Sequence, residues 1–161
     1  MQQTNIITVV PTLDTSAYAN GDLLFDATAV ALPWNGLDGS VWLADVQAFD
    51  ADDQTLYVWD LYIASTSVDM GTLNSAPSTS DADAVNLIGR IRFDGTASPP
   101  DGVDVGGGKL YSKAAGNPPL PIAVRPAIAN PNTLYVCGVC VTGTPTHTAT
   151  GLKLRLTFIK K

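Results

Sequence analysis

The two cysteines of the chain, Cys137 and Cys140, stand three positions apart within LYVCGVCVTGTPT, residues 134–146. This Cys-x-x-Cys spacing occurs in thiol–disulfide enzymes and in metal-binding knuckles. A redox pair sits where a strand gives way to a helix N-terminus, but the residues that follow here, VTGTPT, do not start a helix. Side chains three apart in a strand point to opposite faces, so these thiols would neither pair nor chelate one metal. We therefore predict that both are structural residues of a strand.

A glycine-rich stretch, VGGGKL at residues 105–110, raises the question of phosphate binding. A P-loop needs a glycine five positions before the Gly of its Gly-Lys pair, and a Ser or Thr directly after the Lys. The sequence has Val103 and Leu110 at those two positions. The glycines are therefore expected to form a bulge or a wide turn in a sheet.

Three aspartates, Asp50, Asp52 and Asp53, cluster in FDADDQ at residues 49–54 and offer the oxygen ligands that calcium prefers. The segment lacks the glycine and the final bidentate glutamate of an EF-hand loop, and the chain contains no glutamate at all. Aspartate at a turn needs no metal to explain it, because its side chain hydrogen-bonds to nearby backbone. We therefore expect no bound metal or other cofactor, and the three residues are kept as calcium candidates.

The only histidine, His147, lies among threonines in TGTPTHTATG, residues 142–151. Nucleophilic catalysis needs a base that is held by an acid and that activates a nearby nucleophile. The sequence contains no nucleophile elbow and no second histidine. We predict a loop histidine, no catalytic residue and a protein that is not an enzyme.

Composition and charge exclude several classes of function. The chain has 161 residues, of which 45% are hydrophobic and 15% charged, and this suits one packed domain rather than a disordered chain. A net charge of −6 argues against nucleic-acid binding, which needs a basic surface. No apolar run approaches the length of a membrane span, and the first residues, MQQTNIITVVPTLDT, lack the features of a signal peptide. We expect a protein that is made and assembled in a cytoplasm and does not contact a membrane.

Alternating apolar and polar residues, separated by Gly, Pro and Asp turns, predict eight or nine short strands. The pattern is clearest in GLKLRLTFIKK, residues 151–161, whose leucines and Phe158 share one face. Residues 55–65, TLYVWDLYIAS, are nearly all apolar, which is typical of a strand buried on both faces. Because only the polar DADDQ separates them, residues 40–49 and 55–65 are predicted to form a hairpin. The remaining predicted strands are residues 5–11, 18–33, 87–93 after a possible helical turn, 103–113, 119–128 and 132–143.

This pattern predicts an all-β fold: a single-domain antiparallel β-sandwich of jelly-roll type that spans residues 1–161. The predicted domain has no long amphipathic helix, no internal repeat and no linker. A short N-terminal arm of about residues 1–12 is expected to reach outward, because it is apolar and carries few charges.

Four segments resemble small virion proteins of tailed bacteriophages. They are DTSAYANGDLLFD (14–26), SVWLADVQAFDADDQTLYVWDLYIAS (40–65), LIGRIRF (87–93) and LYVCGVCVTGTPTHTATGLKLRLTF (134–158), which together cover much of the chain. The most similar pieces are the YxxGD opening, the DxDDQ turn and the GTPT…GLxLxL ending. The resemblance implies a jelly-roll or β-sandwich domain that assembles on the capsid, less often on the tail, commonly as a trimer. It implies no catalytic residue, and it gives no role to the cysteine pair or to Trp34.

The resemblance and the composition together predict a capsid decoration (cement) protein that is part of the virion and is assembled in the host cytoplasm. Its expected partners are the major capsid protein and further copies of itself, as a homotrimer, with no nucleic acid and no membrane. We expect contacts through the N-terminal arm, through a tryptophan in a Pro/Gly loop and through two Pro-rich loops. The interface candidates are Ile6, Ile7, Val9, Val10, Trp34, Pro99, Pro100, Pro118 and Pro119.

Two alternatives remain open at this point. One is a tail, baseplate or receptor-binding component of the same kind of particle. The other is a carbohydrate-binding β-sandwich module that uses Trp34 and nearby aromatic residues, with calcium at the three aspartates.

Overall fold

The computed structural model describes residues 3–38, 41–113 and 121–160. Within these ranges the chain forms ten strands and one helical turn. In chain order they are β1 (Gln3–Val9), β2 (Leu23–Ala31), β3 (Val41–Asp50), β4 (Val58–Ala64), α1 (Asp81–Ala84), β5 (Leu87–Asp94), β6 (Gly102–Asp104), β7 (Lys109–Ser112), β8 (Ile122–Val124), β9 (Thr133–Thr142) and β10 (Leu152–Lys160).

The strands form two antiparallel sheets with the strand order of a jelly roll. The first sheet has the order β1-β10-β3-β7-β6, and β8 also pairs with β3; the second has the order β2-β9-β4-β5. The chain passes repeatedly between the two sheets, as in a jelly roll, whose paired Greek keys pack two four-stranded sheets face to face. The predicted all-β, jelly-roll sandwich is therefore confirmed.

The described residues form ten strands rather than the predicted eight or nine because the predicted strand 103–113 is broken in two. Gly106 and Gly108 have φ of 82° and 159° and form the turn between β6 and β7. Both angles lie in the region that glycine adopts readily, so the glycines make a turn in the first sheet, as predicted.

The core lies between the sheets. Trp59 of β4 stacks on Phe93 of β5 with ring centroids 4.5 Å apart, and Tyr111 of β7 meets both rings edge-on from the opposite sheet. In β10 the predicted alternation is confirmed: Leu152, Leu154, Leu156 and Phe158 are buried, whereas Lys153 and Arg155 are exposed. Aromatic and leucine side chains thus join the two layers.

The predicted hairpin between residues 40–49 and 55–65 is wrong. β3 pairs with β10, β7 and β8, whereas β4 pairs with β5 and β9 in the other sheet. The polar connection after Asp50 carries the chain from one sheet to the other. The alternation of apolar and polar residues is the same whether two strands pair in a hairpin or lie in opposite sheets, because in both cases each strand turns a face to the same core.

A second, smaller cluster covers the outer face of the second sheet. Its buried members are Leu23, Ala64, Val68, Met70 and Cys137. Val68 and Met70 belong to the segment between β4 and α1, which packs back over β4, so that this strand is buried on both faces as predicted. Cys140 belongs instead to the main core, so the two cysteines lie on opposite faces of β9.

The segment predicted as an N-terminal arm is part of the first sheet. Residues Gln3 to Val9 pair with β10 along their whole length, from Gln3 opposite Lys160 to Val9 opposite Leu154. β1 is therefore the edge strand of this sheet rather than an arm that extends away from it.

Candidate functional site

A buried cluster of titratable side chains lies at one end of the sandwich. Asp50 is the last residue of β3, Asp52 lies in the turn that follows, and His147 lies in the loop between β9 and β10. The side chains of Asp50 and His147 are 0% exposed, and that of Asp52 is 16% exposed. One ligand atom from each of the three residues lies within 4.8 Å of the other two.

Pairing between β3 and β10 brings these residues together. Asp50 lies opposite Leu152, and the backbone N–H of Ala51 donates to the carbonyl of Gly151 at 2.8 Å. The loop that leads into β10, which contains His147, is thereby fixed beside the end of β3. A Cβ at position 151 would overlap the Asp52 carboxylate, so glycine at this position leaves room for that side chain.

Asp52 ties the two loops to each other. Its carboxylate accepts hydrogen bonds from the backbone N–H and the hydroxyl of Thr148, at 2.8 Å and 3.0 Å. Nearby, Gln54 accepts from the backbone N–H of Thr146 at 2.9 Å. His147 is thus flanked on both sides by residues that are anchored to the turn after β3.

Two polar atoms of this cluster have no hydrogen-bond partner among the described residues. They are Oδ2 of Asp50 and Nδ1 of His147. Nδ1 lies 3.6 Å from Oδ1 of Asp50 and 3.4 Å from Oδ2 of Asp52, longer than the usual N–H···O range of about 2.7–3.2 Å. A buried polar atom without a partner is costly, which makes these two atoms candidates for contact with a bound ion.

The other imidazole nitrogen is satisfied. Nε2 of His147 is hydrogen-bonded to the hydroxyl of Tyr57 at 3.1 Å. Burial raises the pKa of Tyr57 well above its usual value, so this phenol stays protonated. Burial likewise raises the pKa of Asp50, and the imidazole of His147 and the backbone N–H groups of Asp52 and Gln54 oppose that rise.

The structure separates Asp53 from the other two calcium candidates, Asp50 and Asp52. The carboxylate of Asp53 forms an ion pair with Lys109, which also pairs with Asp104 at 2.9 Å. Asp50 and Asp52 converge with His147 instead. Sequence inspection missed His147 because it stands far from the aspartates along the chain. Only the register between β3 and β10 could have revealed the contact.

A surface pocket reaches this cluster. Its wall contains Asp52 and His147 together with Thr15, Gln54, Thr146 and Thr148. The arrangement can hold a cation or a proton between two carboxylates and an imidazole. No described cysteine or activated serine takes part in it.

Both cysteines are buried thiols that stay protonated in the folded chain. Both are free and fully buried. Burial raises the pKa of Cys137 to about 12 and that of Cys140 to about 11, far from the thiolate form that redox or metal chemistry needs. The prediction of structural thiols agrees with these placements.

The interface candidates on β1 divide between the two faces of the strand. Ile6 is 50% exposed and Val10, just after the strand, is 45% exposed. Ile7 and Val9 instead pack against the main core. The outer face of β1 is therefore the part of this segment that can meet a partner.

The remaining interface candidates lie elsewhere. Pro99 and Pro100 are exposed in the loop between β5 and β6. Trp34 is half-buried against the main core, at the base of its loop. Pro118 and Pro119 lie outside the described residues.

Two cations of β10 lie on the same outer face of the sheet as Ile6, with Arg155 opposite Thr8. Lys153 and Arg155 point outward from β10, and neither forms an ion pair among the described residues. By contrast, Arg90 and Arg92 pair with Asp60, and Lys109 and Lys113 pair with other aspartates. We call the exposed surface of Thr4, Ile6, Thr8, Lys153 and Arg155 the β1–β10 face.

The aspartate cluster and Trp34 lie at opposite ends of the molecule. Asp50 lies opposite Leu152, whereas Lys160 at the other end of β10 donates through Nζ to the carbonyl of Asn35, beside Trp34. Eight residue steps of strand separate these ends by about 27 Å. A single sugar therefore cannot contact both Trp34 and the aspartates.

Among the residues that the structure describes, no helix is both long and apolar enough to cross a membrane. No protein-family model matches the sequence, and no curated protein matches it either.

Solved structures of viral capsids show a remote likeness. A capsid chain of equine rhinitis A virus, a picornavirus, aligns with 98% of this chain and 71% of its own, at 12% identity and a TM-score of 0.34. A chain of Cocksfoot mottle virus aligns with 99% of this chain and 84% of its own, at 11% identity and a TM-score of 0.30. A chain of the native virion of Kashmir bee virus aligns with 98% and 70%, at 10% identity and a TM-score of 0.31. These likenesses are too remote to bear on function, and the assignment of the fold rests on the strand order.

Proposed function

We propose that this chain is a structural virion protein of a tailed phage: a decoration protein that binds the lattice of the major capsid protein and stabilises the head. The observation that carries the proposal is the β1–β10 face. It combines an edge strand, the half-exposed Ile6 and the cations Lys153 and Arg155, which have no acidic partner among the described residues.

An edge strand with exposed apolar side chains can pair with a strand of another chain, because its outer backbone groups are unpaired. In the described part of the molecule, β1 pairs with β10 on one side only, so its other edge offers backbone N–H and C=O groups. A capsid subunit or a neighbouring copy that added a strand here would satisfy those groups and bury Ile6. In a homotrimer, three copies of this face would be presented together to the capsid lattice.

Charge supports the choice of this face. The chain carries a net charge of −6, yet the β1–β10 face carries two cations that form no ion pair with any described residue. Such a face favours a partner with an acidic or polar surface, because long-range attraction steers the encounter and like charges elsewhere discourage wrong orientations. The resemblance to tailed-phage virion proteins and the jelly-roll strand order point to the same class of function.

Copy number in purified virions, measured by quantitative mass spectrometry, tests the proposal. A decoration protein is expected in numbers comparable to those of the major capsid protein. A few copies per particle would instead identify a tail, baseplate or receptor-binding component. Absence from particles would refute both virion roles.

The face itself is tested with matched variants. Ile6→Asp and Arg155→Asp should abolish co-sedimentation with capsids that lack the protein. Val85→Asp, at a residue that is 79% exposed and lies next to α1, should not change it. Equal binding by all three variants would show that the β1–β10 face is not the docking surface.

A further inference from the structure

We infer that Asp50, Asp52 and His147 form a binding site for a divalent transition-metal ion, and that Zn²⁺ is the ion which its ligand set and spacing fit. This site is separate from the β1–β10 face and does not depend on the proposed virion role. It would join the end of β3 to the loop between β9 and β10, and so fix one corner of the sandwich.

The spacing of the ligand atoms fits a metal better than it fits hydrogen bonds. Nδ1 of His147 lies 3.4 Å from Asp52 Oδ2 and 3.6 Å from Asp50 Oδ1. A tetrahedral zinc ion with bonds of about 2.0–2.1 Å keeps neighbouring ligand atoms about 3.3–3.4 Å apart. These two separations are thus close to the edges of a zinc tetrahedron, and the ligand atoms of Asp50 and Asp52 lie within 4.8 Å of each other.

The unsatisfied atoms point to the same conclusion. Nδ1 of His147 and Oδ2 of Asp50 belong to side chains that are 0% exposed, and neither has a hydrogen-bond partner among the described residues. An ion bound between these side chains would give Nδ1 a partner, and it would bind Asp50 through the carboxylate whose Oδ1 lies 3.6 Å from Nδ1 and whose Oδ2 is unsatisfied. Two carboxylates and a neutral imidazole carry a charge of −2, which one divalent ion neutralises, so that the buried charges no longer repel each other.

Tyr57 prepares His147 to bind through the correct nitrogen. When Nε2 carries the proton, it can donate to the hydroxyl oxygen of Tyr57 at 3.1 Å, and Nδ1 is left with a free lone pair. A metal-bound histidine usually donates its second N–H to a fixed acceptor, which sets its tautomer and the orientation of its ring. Thr148 fixes the orientation of the Asp52 carboxylate by donating two hydrogen bonds to it.

The ligand set favours Zn²⁺ over calcium. Calcium takes six to eight oxygen ligands, whereas this cluster offers two carboxylates and one imidazole nitrogen. Three protein ligands and one water complete a tetrahedral zinc site. The pocket lined by Thr15, Gln54 and Thr146 gives the ion and that water a route from solvent to Asp52 and His147.

Metal titration of the untagged protein, after dialysis against a chelator, tests the site. Isothermal titration with ZnCl2 should show one saturable site per chain, and Zn²⁺ should raise the melting temperature. CaCl2 at the same concentration should do neither. Co²⁺ in place of Zn²⁺ should produce the visible absorption bands of a tetrahedral complex. A chelated protein that binds neither Zn²⁺ nor Co²⁺ would overturn the proposal.

Variants locate the ion. Asp50→Asn, Asp52→Asn and His147→Gln should each weaken Zn²⁺ binding by more than about 100-fold, because even changes to groups behind the ligands cost about 10–100-fold. Asp53→Asn is the matched control: it lies in the same turn, but its carboxylate pairs with Lys109. Folded Asp52→Asn protein that binds Zn²⁺ as tightly as the Asp53→Asn control would overturn the site. Because Asp52 is partly exposed, its variant serves even if the two buried substitutions unfold the chain.

Discussion

The hydroxyl of Tyr57 and Nε2 of His147 lie 3.1 Å apart in the buried end of the sandwich. This single contact distinguishes the two nitrogens of the imidazole, because the other nitrogen faces Asp50 and Asp52 without a hydrogen bond. Tyr57 comes just before β4 in the second sheet, whereas Asp50 ends β3 in the first. His147 therefore connects the two sheets through one ring.

Replacing Tyr57 by Phe removes the acceptor for the Nε2–H group and leaves the ring in place. We expect Tyr57→Phe to weaken Zn²⁺ binding by about 10–100-fold, the usual effect of losing a group that orients a metal-bound histidine. Isothermal titration measures this change. Tyr111→Phe is the control, because the Tyr111 hydroxyl bonds to the backbone N–H of Tyr57 and not to His147. An equal loss in both variants would mean that the Tyr57–His147 contact has no special role.

Arg92 supports a buried carboxylate on the second sheet. Its guanidinium donates to both oxygens of Asp60, at 2.8 Å and 2.9 Å, whereas Arg90 only approaches the same carboxylate at 3.8 Å. Because the side chain of Asp60 is only 3% exposed, Arg92→Met leaves it without its bidentate partner. We expect a loss of about 2 kcal/mol in the free energy of unfolding. Arg90→Met should cost less than about 1 kcal/mol. Urea denaturation compares the two, and similar losses would contradict this account.

Gly138 is required by the ring of Phe25. The two residues face each other between β2 and β9, and a Cβ at position 138 would overlap that ring, which is fully buried. Gly138→Ala should therefore destabilise the protein by about 1–3 kcal/mol through overpacking. Gly107→Ala, where no atom lies within 4 Å of the added Cβ, should be nearly neutral. Thermal melting of both variants tests this, and an unchanged melting temperature for Gly138→Ala would show that Phe25 can move aside.

Alkaline pH should destabilise the fold in two stages. Burial raises the pKa of Cys137 to about 12 and that of Cys140 to about 11, so the folded chain keeps these protons after the unfolded chain has lost them above about pH 8.5. Burial also raises the pKa of Tyr18 and of Tyr111 to about 12, which adds a second stage above about pH 10. In both stages the unfolded state binds fewer protons, so stability falls as pH rises.

Each such group lowers the free energy of unfolding by about 1.4 kcal/mol per pH unit within its window. Denaturant titrations between pH 8 and 11 measure the slope. A variant with both cysteines replaced by alanine should lose the first stage and keep the second. If its slope between pH 8.5 and 10 equals that of the unchanged protein, the thiols do not carry this dependence.

The strands were predictable because their signals are local. Alternation in β10 shows which side chains are buried, and the apolar run in β4 shows that both of its faces are covered. The pairing of strands is not local: β3 lies beside β10, which is about a hundred residues away in the chain, and not beside β4. The short polar connection between β3 and β4 suits either a hairpin or a crossing between sheets. The sequence pattern predicted a hairpin, whereas the structure has a crossing.

The cluster of Asp50, Asp52 and His147 could not be predicted from the sequence, because it too depends on non-local strand pairing. Asp50 and Asp52 were visible as possible ligands, and His147 was visible as the sole histidine, but their meeting depends on the register that sets Asp50 opposite Leu152. Asp53 looked equivalent to its neighbours in the sequence. Its positive φ of 53° and its ion pair with Lys109 separate it from them.

The pairing of Gln3 with Lys160 has a practical consequence for labelling. These two positions stand side by side on neighbouring strands, so a pair of spectroscopic labels at Gln3 and Lys160 would report directly on whether β1 is paired with β10. Such a pair would follow any release of the edge strand when the protein meets a partner.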